Sequence, residues 1–195
     1  MFSQRTTTAL LNGLHDPSNS AAWEEFDGRC RPIMIAVSRR LGLSPAEADD
    51  AVQAAMISFL EAYRAGRYDR GRGRLSAFII TILRSRAIDL RRRDGHQRGI
   101  AAAAQAEPSE ADLERLWLDE RQGQILRHAL AELRAQGADE RMLDAFELYG
   151  VRGVDICEVT GRLGMSREEV YNAKYRITRR LQPIVARLDE LYEDL

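Results

Sequence analysis

The sequence predicts an all-α protein: two small helical domains joined by a linker, the second containing a helix-turn-helix. Three observations carry this. Apolar residues recur at spacings of three and four along most of the 195 residues. No segment sustains the apolar/polar alternation, β-branched content and hairpin turns of strands. Residues 95–112, GHQRGIAAAAQAEPSEAD, turn small and polar with one proline, as a linker does. The expected domains are therefore 1–94 and 113–195.

Ala21–Leu41 reads as one helix or two, with Pro32 early in the apolar stretch Ile33, Ile35, Ala36, Val37 and Gly42 placed to end it. Ser44-Pro45-Ala46-Glu47 opens the next helix as a capping box with proline at the first helical position. Val52, Met56, Phe59, Leu60 and Tyr63 then share one face. Gly66–Gly73 is loop. A helix from about Leu75 to Arg93 buries Ile79, Ile82, Leu83, Ala87 and Leu90, and Gly95 is a plausible stop. Helices resume over 113–136 and 139–149. Val154–Arg162 is a short helix, Leu163-Gly164-Met165-Ser166 a tight turn, and Arg167–Leu181 a helix whose cap is Ser166 with Glu169 at the box position. Val170, Ala173, Ile177 and Leu181 form its buried side.

Composition excludes several classes. The longest apolar run, Ala77–Leu83, is interrupted by Thr81 and falls far short of the roughly 20 residues a membrane span needs. The first 20 residues lack a signal core, so a cytoplasmic protein without membrane contact is expected. Two distant cysteines, Cys30 and Cys157, build neither a disulfide framework nor a zinc ribbon, and His15, His96 and His128 are scattered; no metal or other cofactor is expected. A net charge of −1 conceals an asymmetry. Residues 64–98 hold eleven Arg against three Asp, a net +8; residues 107–147 are −6; residues 167–187 are +4. Two basic blocks separated by an acidic one suit two contacts with a polyanion.

Residues 154–181 form the strongest motif, a short helix, a turn with Gly164 and a basic helix, the pattern of a helix-turn-helix. Its second helix offers Tyr171, Asn172, Tyr175, Arg176 and Arg179 on the exposed face, and Asn and Arg are the side chains that read adenine and guanine edges. The other motif is Tyr68-Asp-Arg-Gly-Arg-Gly-Arg74, followed by a helix studded with Arg84, Arg86 and Arg91–Arg93. Guanidinium pairs with phosphate through two hydrogen bonds, but GRGR lacks the spacing of a P-loop. Asp49 and Asp50 are adjacent and diverge by about 100° on a helix, so they do not share a catalytic site. Nucleophile triads and metalloprotease motifs are absent from the sequence, and no enzymatic activity is expected.

Three segments in order resemble the bacterial RNA polymerase sigma factors of the sigma-70 family, extracytoplasmic-function (ECF) type: Ala48–Gln53 with its apolar continuation through Phe59 and Leu60; Tyr68–Phe78 with Ile82–Arg93; and Val154–Ser166 with Val170–Leu181. The resemblance implies a factor that binds core RNA polymerase and directs it to promoter DNA. Asp49, Asp50, Gln53 and Met56 would meet the polymerase. Arg74, Arg84, Ser85, Arg91 and Arg92 would hold the melted −10 strand. Tyr171, Asn172, Tyr175, Arg176 and Arg179 would read the −35 element. The chain departs from the family pattern at four places: Ala54 stands where Glu is usual, Phe78 for Trp, Ser85 for Asn, and Tyr171 for Lys or Arg. Ser58, one turn from Ala54, would regain the missing charge if phosphorylated, so a protein kinase stands beside the family's usual anti-sigma factor as a candidate partner, and control by expression level alone is the third alternative. Two other readings stand beside this one: a helix-turn-helix regulator of duplex operators without polymerase, and a helical adaptor.

Overall fold

A computed structural model describes residues 7–71, 73–98 and 108–193, and of residues 91–98 the backbone alone. All regular structure among the described residues is helical. The chain divides into two compact units, 1–124 with 191–195, and 125–190. The division falls between Gln124 and Ile125, whereas the composition shift lies at 95–112.

The first unit is built on three long helices. α2 (Ser20–Arg40) starts at Asn19, whose side chain accepts from the Ala22 N–H at 3.1 Å. It is a single helix that carries Pro32 within it and gives way at Gly42, whose φ of +88° is left-handed. α3 (Pro45–Arg64) opens with the expected capping box: Ser44 Oγ accepts from the Glu47 N–H, and the Glu47 carboxylate accepts from the Ser44 N–H at 2.7 Å. Its inner face is Ala48, Ala51, Val52, Ala55, Met56, Phe59, Ala62 and Tyr63, small residues that let neighbouring helices approach and large ones that fill the gaps. α4 (Leu75–Arg98) buries Leu75, Ile79, Ile80, Leu83 and Ala87. Ile82 and Leu90, expected on that face, are only half-buried.

An aromatic chain ties these helices together. Phe59 stacks on Phe26 at 5.1 Å and on Tyr63 at 5.8 Å, and meets the edge of Phe78 at 6.2 Å. Tyr68 lies 5.4 Å from Phe78 and 6.2 Å from Tyr63, anchoring the loop before α4.

Three features of this unit differ from the sequence reading. A short helix, α1 (Thr7–Gly13), precedes α2 and buries Leu10 and Leu11; seven residues are too few for a periodic signal. α4 runs through Gly95 to Arg98, because a glycine inside a helix costs only about 1 kcal/mol and stops nothing unless the chain also turns left-handed. The unit also takes in Leu191 and Tyr192. Thr7 and Arg29 donate to the Leu191 carbonyl at 2.9 and 2.7 Å, Arg121 donates to that of Tyr192, and the Arg29 guanidinium lies 5.4 Å over the Tyr192 ring.

α5 (Glu110–Ala135) begins at a Ser109–Asp112 cap, three residues earlier than expected. Of the expected linker 95–112, residues 99–107 lie outside the described residues.

The second unit holds the rest of α5, then α6 (Glu140–Ala145), a π-helical turn (Phe146–Val151), α7 (Ile156–Leu163) and α8 (Arg167–Leu191, to Glu190 in this unit). The continuous helix expected over 139–149 is therefore broken into two hydrogen-bonding patterns. Gly150 accommodates the break: a Cβ there would lie 3.1 Å from the Phe146 ring. α8 continues ten residues beyond Leu181. Pro183 removes one backbone donor, but the buried series Val170, Ala173, Ile177, Leu181, Ile184, Leu188 carries straight through it. Tertiary burial outweighs the local break.

Candidate nucleic-acid interface

In the first unit the outer side of α3 presents Asp49, Asp50 and Gln53, all exposed. Met56 does not join them. It is 1% exposed and belongs to the core stripe with Val52, Phe59 and Tyr63, so its expected place at a partner surface is corrected. Ile57, one residue on, is 52% exposed and continues the outer stripe. The geometry explains the slip: from Gln53, a step of four residues turns 40° and a step of three turns −60°, so Ile57 is the nearer neighbour. Behind this stripe a groove of 210 Å³ runs between α3 and α4, lined by Asp50, Ala51, Ala54, Arg86, Asp89 and Leu90. Arg86 donates to Ser58 Oγ at 2.8 Å and lies 3.8 Å from Asp89.

Around α4, Arg74 is exposed at the end of the loop, and the Asp69 carboxylate folds that loop by accepting from the Gly71 N–H at 2.8 Å. Arg84 and Ser85 line a cavity of 310 Å³ with Thr81, Ile88 and Asp89. Arg84 is half-buried and Ser85 exposed. The side chains of Arg91 and Arg92 lie outside the described residues. Arg64 donates from Nε to the Leu14 carbonyl at 2.9 Å, and Arg70 reaches Thr8 at 3.1 Å. Part of the +8 block is thus engaged within the fold.

In the second unit α7 and α8 form a helix-turn-helix. Asp155 caps α7 by accepting from the Cys157 N–H at 2.8 Å. Gly164 supplies the left-handed residue of the turn at φ +61°. Ser166 and Glu169 form a reciprocal capping box on α8, and the Ser166 N–H and hydroxyl hold the Glu169 carboxyl below its ordinary range. Arg141 braces the turn from α6, donating to the Leu163 carbonyl at 2.9 Å and also to that of Gly164. Beneath lie Ala145, Val159, Met165, Val170 and Ala173.

Tyr171, Asn172, Tyr175, Arg176 and Arg179 all stand exposed on the opposite side of α8, as the spacing predicts. The Arg179 guanidinium sits 6.0 Å over the Tyr175 ring. Arg176 and Arg180 make no ion pair among the described residues. The arrangement offers cationic and amide donors, with two aromatic rings, on one rigid helical face.

Residues 26–97 match the family model of sigma-70 region 2. No curated protein and no solved structure matches the chain. The matched stretch is 72 of the 195 residues, and that stretch is similar to a domain of the sigma-70 transcription initiation factors. The matched stretch takes in most of α2, then α3, the aromatic-anchored loop and α4 as far as residue 97, so Asp49, Asp50, Gln53, Arg74, Arg84, Ser85, Arg91 and Arg92 all fall inside it. α1 and the helix-turn-helix fall outside.

Among the described residues no helix is long and apolar enough to cross a membrane, and no group of His, Cys, Asp and Glu is placed to hold a metal ion. Cys30 is buried, which pushes its thiol pKa well up, and Cys157 is exposed; both are free.

Proposed function

We propose that the chain is a sigma factor of the extracytoplasmic-function type, cytoplasmic, with its −10 reading in residues 1–94 and its −35 reading in residues 113–195. The observation that carries this is the pairing of a region 2 match over 26–97 with an independent helix-turn-helix whose polar, aromatic and cationic side chains share one exposed face. Asp49, Asp50, Gln53 and Ile57 dock on core polymerase. Arg74, Arg84, Ser85, Arg91 and Arg92 hold the non-template strand of the −10 element through its phosphates and an unstacked base. α8 enters the major groove of the −35 element, with Asn172 and Arg176 on base edges and Arg179 beside them. The factor lowers the cost of the open strand by binding it and leaves the chemistry to the polymerase. Its control falls to an anti-sigma factor or a protein kinase.

The test is in vitro transcription from a promoter library with core polymerase, with and without the chain. Promoter-dependent transcripts appearing only with the chain are expected, together with co-purification of core polymerase. Changing Arg91 and Arg92 together to Ala should leave polymerase binding intact and abolish the permanganate-reactive bubble. Duplex binding without any polymerase association would instead make the chain an operator-binding regulator.

A further inference from the structure

The helix-turn-helix carries an aromatic arrangement that the reading of α8 does not yet use. Tyr171 is 52% exposed on the fifth residue of α8, within the N-terminal stretch of a recognition helix that meets base edges. Its ring is not free to swing. Tyr149 stands against it with ring centroids 5.6 Å apart at 79°, an edge-to-face contact. Tyr149 beside it is also the main cause that pushes the Tyr171 pKa up. Tyr149 is itself fixed. It lies on the π-helical turn, the kind of local irregularity that recurs at functional sites, next to Gly150 whose missing Cβ admits the Phe146 ring. The Lys174 ammonium also lies 5.1 Å over its ring.

A tyrosine steadied by a neighbouring ring and half open to solvent presents ring carbons outward. The only apolar group a base pair offers in the major groove is the thymine C5-methyl. We propose that Tyr171, held by Tyr149 as a positioning residue, is a preset apolar contact that selects thymine at one position of the duplex element read by α8. Phosphate is better served by the cations of the same helix, Arg176, Arg179 and Arg180, all exposed, whereas Tyr171 brings an uncharged ring. A fixed ring also loses little rotamer freedom on binding, so the contact discriminates rather than adapts. The inference rests on the proposed reading of duplex DNA by α8.

The experiment uses holoenzyme assembled from the full chain and core RNA polymerase, and selects duplexes from a pool randomised in the upstream promoter element. Each thymine of the enriched element is then replaced by uracil, which removes the methyl group alone. Wild type should lose affinity about fourfold at one position, the worth of one buried methyl. Tyr171→Ala should bind the thymine and uracil duplexes equally. Tyr149→Ala should shrink the thymine-to-uracil ratio without touching DNA itself, and Tyr149→Phe, which keeps the ring contact, should shrink it less. An enriched element with no thymine, or a ratio of one at every thymine, would overturn the inference while leaving the reading of α8 in place. A pool with no enriched upstream element would overturn both.

Discussion

Arg29 and Arg176 are the same residue type in opposite circumstances. Arg29, in the first unit, is 6% exposed, donates to the Leu191 carbonyl and the Glu25 carboxylate, and lies over the Tyr192 ring. Arg176, in the second, is exposed and makes no ion pair among the described residues. The contrast extends to their neighbours. Arg64, Arg70 and Arg86 reach a backbone carbonyl, a threonine and a serine of their own unit. On α8, Arg179 leans only on the Tyr175 ring among described contacts. Both basic segments spend part of their charge on the fold: Arg187 pairs with Glu132 and Arg167 donates to the Cys157 sulfur, while Arg176, Arg179 and Arg180 stand exposed on α8. What marks an arginine for a polyanion is an unsatisfied fork on a rigid face, not membership of a basic run.

The largest expected effect comes from breaking the buried end of this comparison. Arg29→Ala leaves the largely buried Glu25 carboxylate without its guanidinium and the Leu191 carbonyl with Thr7 as its remaining donor, which should cost about 3–5 kcal/mol of stability in urea unfolding. A loss under about 1 kcal/mol would mean that water replaces the guanidinium and that the residue is not structural. Arg176→Ala should behave in the reverse sense. Unfolding should be unchanged, and affinity for the cognate duplex should fall by about 1–3 kcal/mol with relaxed preference at one base. Arg180→Ala, nearer the end of the face, should act through phosphate and lower the salt dependence of binding by about one counterion. Equal transcription by Arg176→Ala and wild type would show that this face is not the reading face.

How much of this was legible follows the same division. The exposed side of α8 could be read from spacing because Val170, Ala173, Ile177 and Leu181 define a clean apolar stripe and everything opposite it is polar or aromatic. Its cap was legible because Ser166 and Glu169 stand in fixed register with the turn glycine. Met56 was misplaced because a residue three positions from Gln53 and four from Val52 fits either stripe by rough count, and only the packing of Phe59 and Tyr63 decides. The extension of α8 past Pro183 was hidden by a strong local stop signal that tertiary burial overrides. The π-helical turn left no trace in the sequence beyond Gly150, since it depends on how Phe146 packs. Tyr149, which holds Tyr171, was missed for that reason. The inward engagement of Arg64 and Arg70 was equally hidden, because their partners Leu14 and Thr8 are distant in sequence.

A smaller effect should appear on acidification of the second unit. The Glu169 carboxyl is held below its ordinary 4.5 by the Ser166 N–H and hydroxyl. Because the folded value is depressed, the cap contributes its full stability above the unfolded value and loses it as pH falls through the folded one. Helix-turn-helix amides should therefore lose exchange protection on acidification below the ordinary glutamate range, and Glu169→Gln should remove that pH dependence. Unaltered acid sensitivity in Glu169→Gln would place its origin elsewhere. Ser166→Ala should cost about 1 kcal/mol at any pH by deleting the acceptor that caps α8.

The smallest expected effect concerns Ala54, on the helix proposed to dock on polymerase, where the resemblance would set a carboxylate. One charge-assisted hydrogen bond across an interface is worth about 1.5–3 kcal/mol, so restoring it might be thought to strengthen docking tenfold. The groove argues otherwise. Ala54 is half-buried beside Arg86, which now donates to Ser58 and lies near Asp89. A carboxylate at position 54 would have that guanidinium as an immediate internal partner, and much of its charge would be neutralised before any polymerase approached. Asp49 and Asp50, both exposed, already carry negative charge on the outer side of α3. Ala54→Glu should therefore tighten binding to core polymerase by less than about threefold, roughly 0.6 kcal/mol. The double variant Ala54→Glu, Arg86→Gln, in which the internal partner is gone, should gain more than the single one. A tenfold gain from Ala54→Glu alone would show that the charge points outward past Arg86, that docking in the native chain is limited by its absence, and that a phosphate on Ser58 could supply it. A gain in neither variant would show that Asp49 and Asp50 suffice.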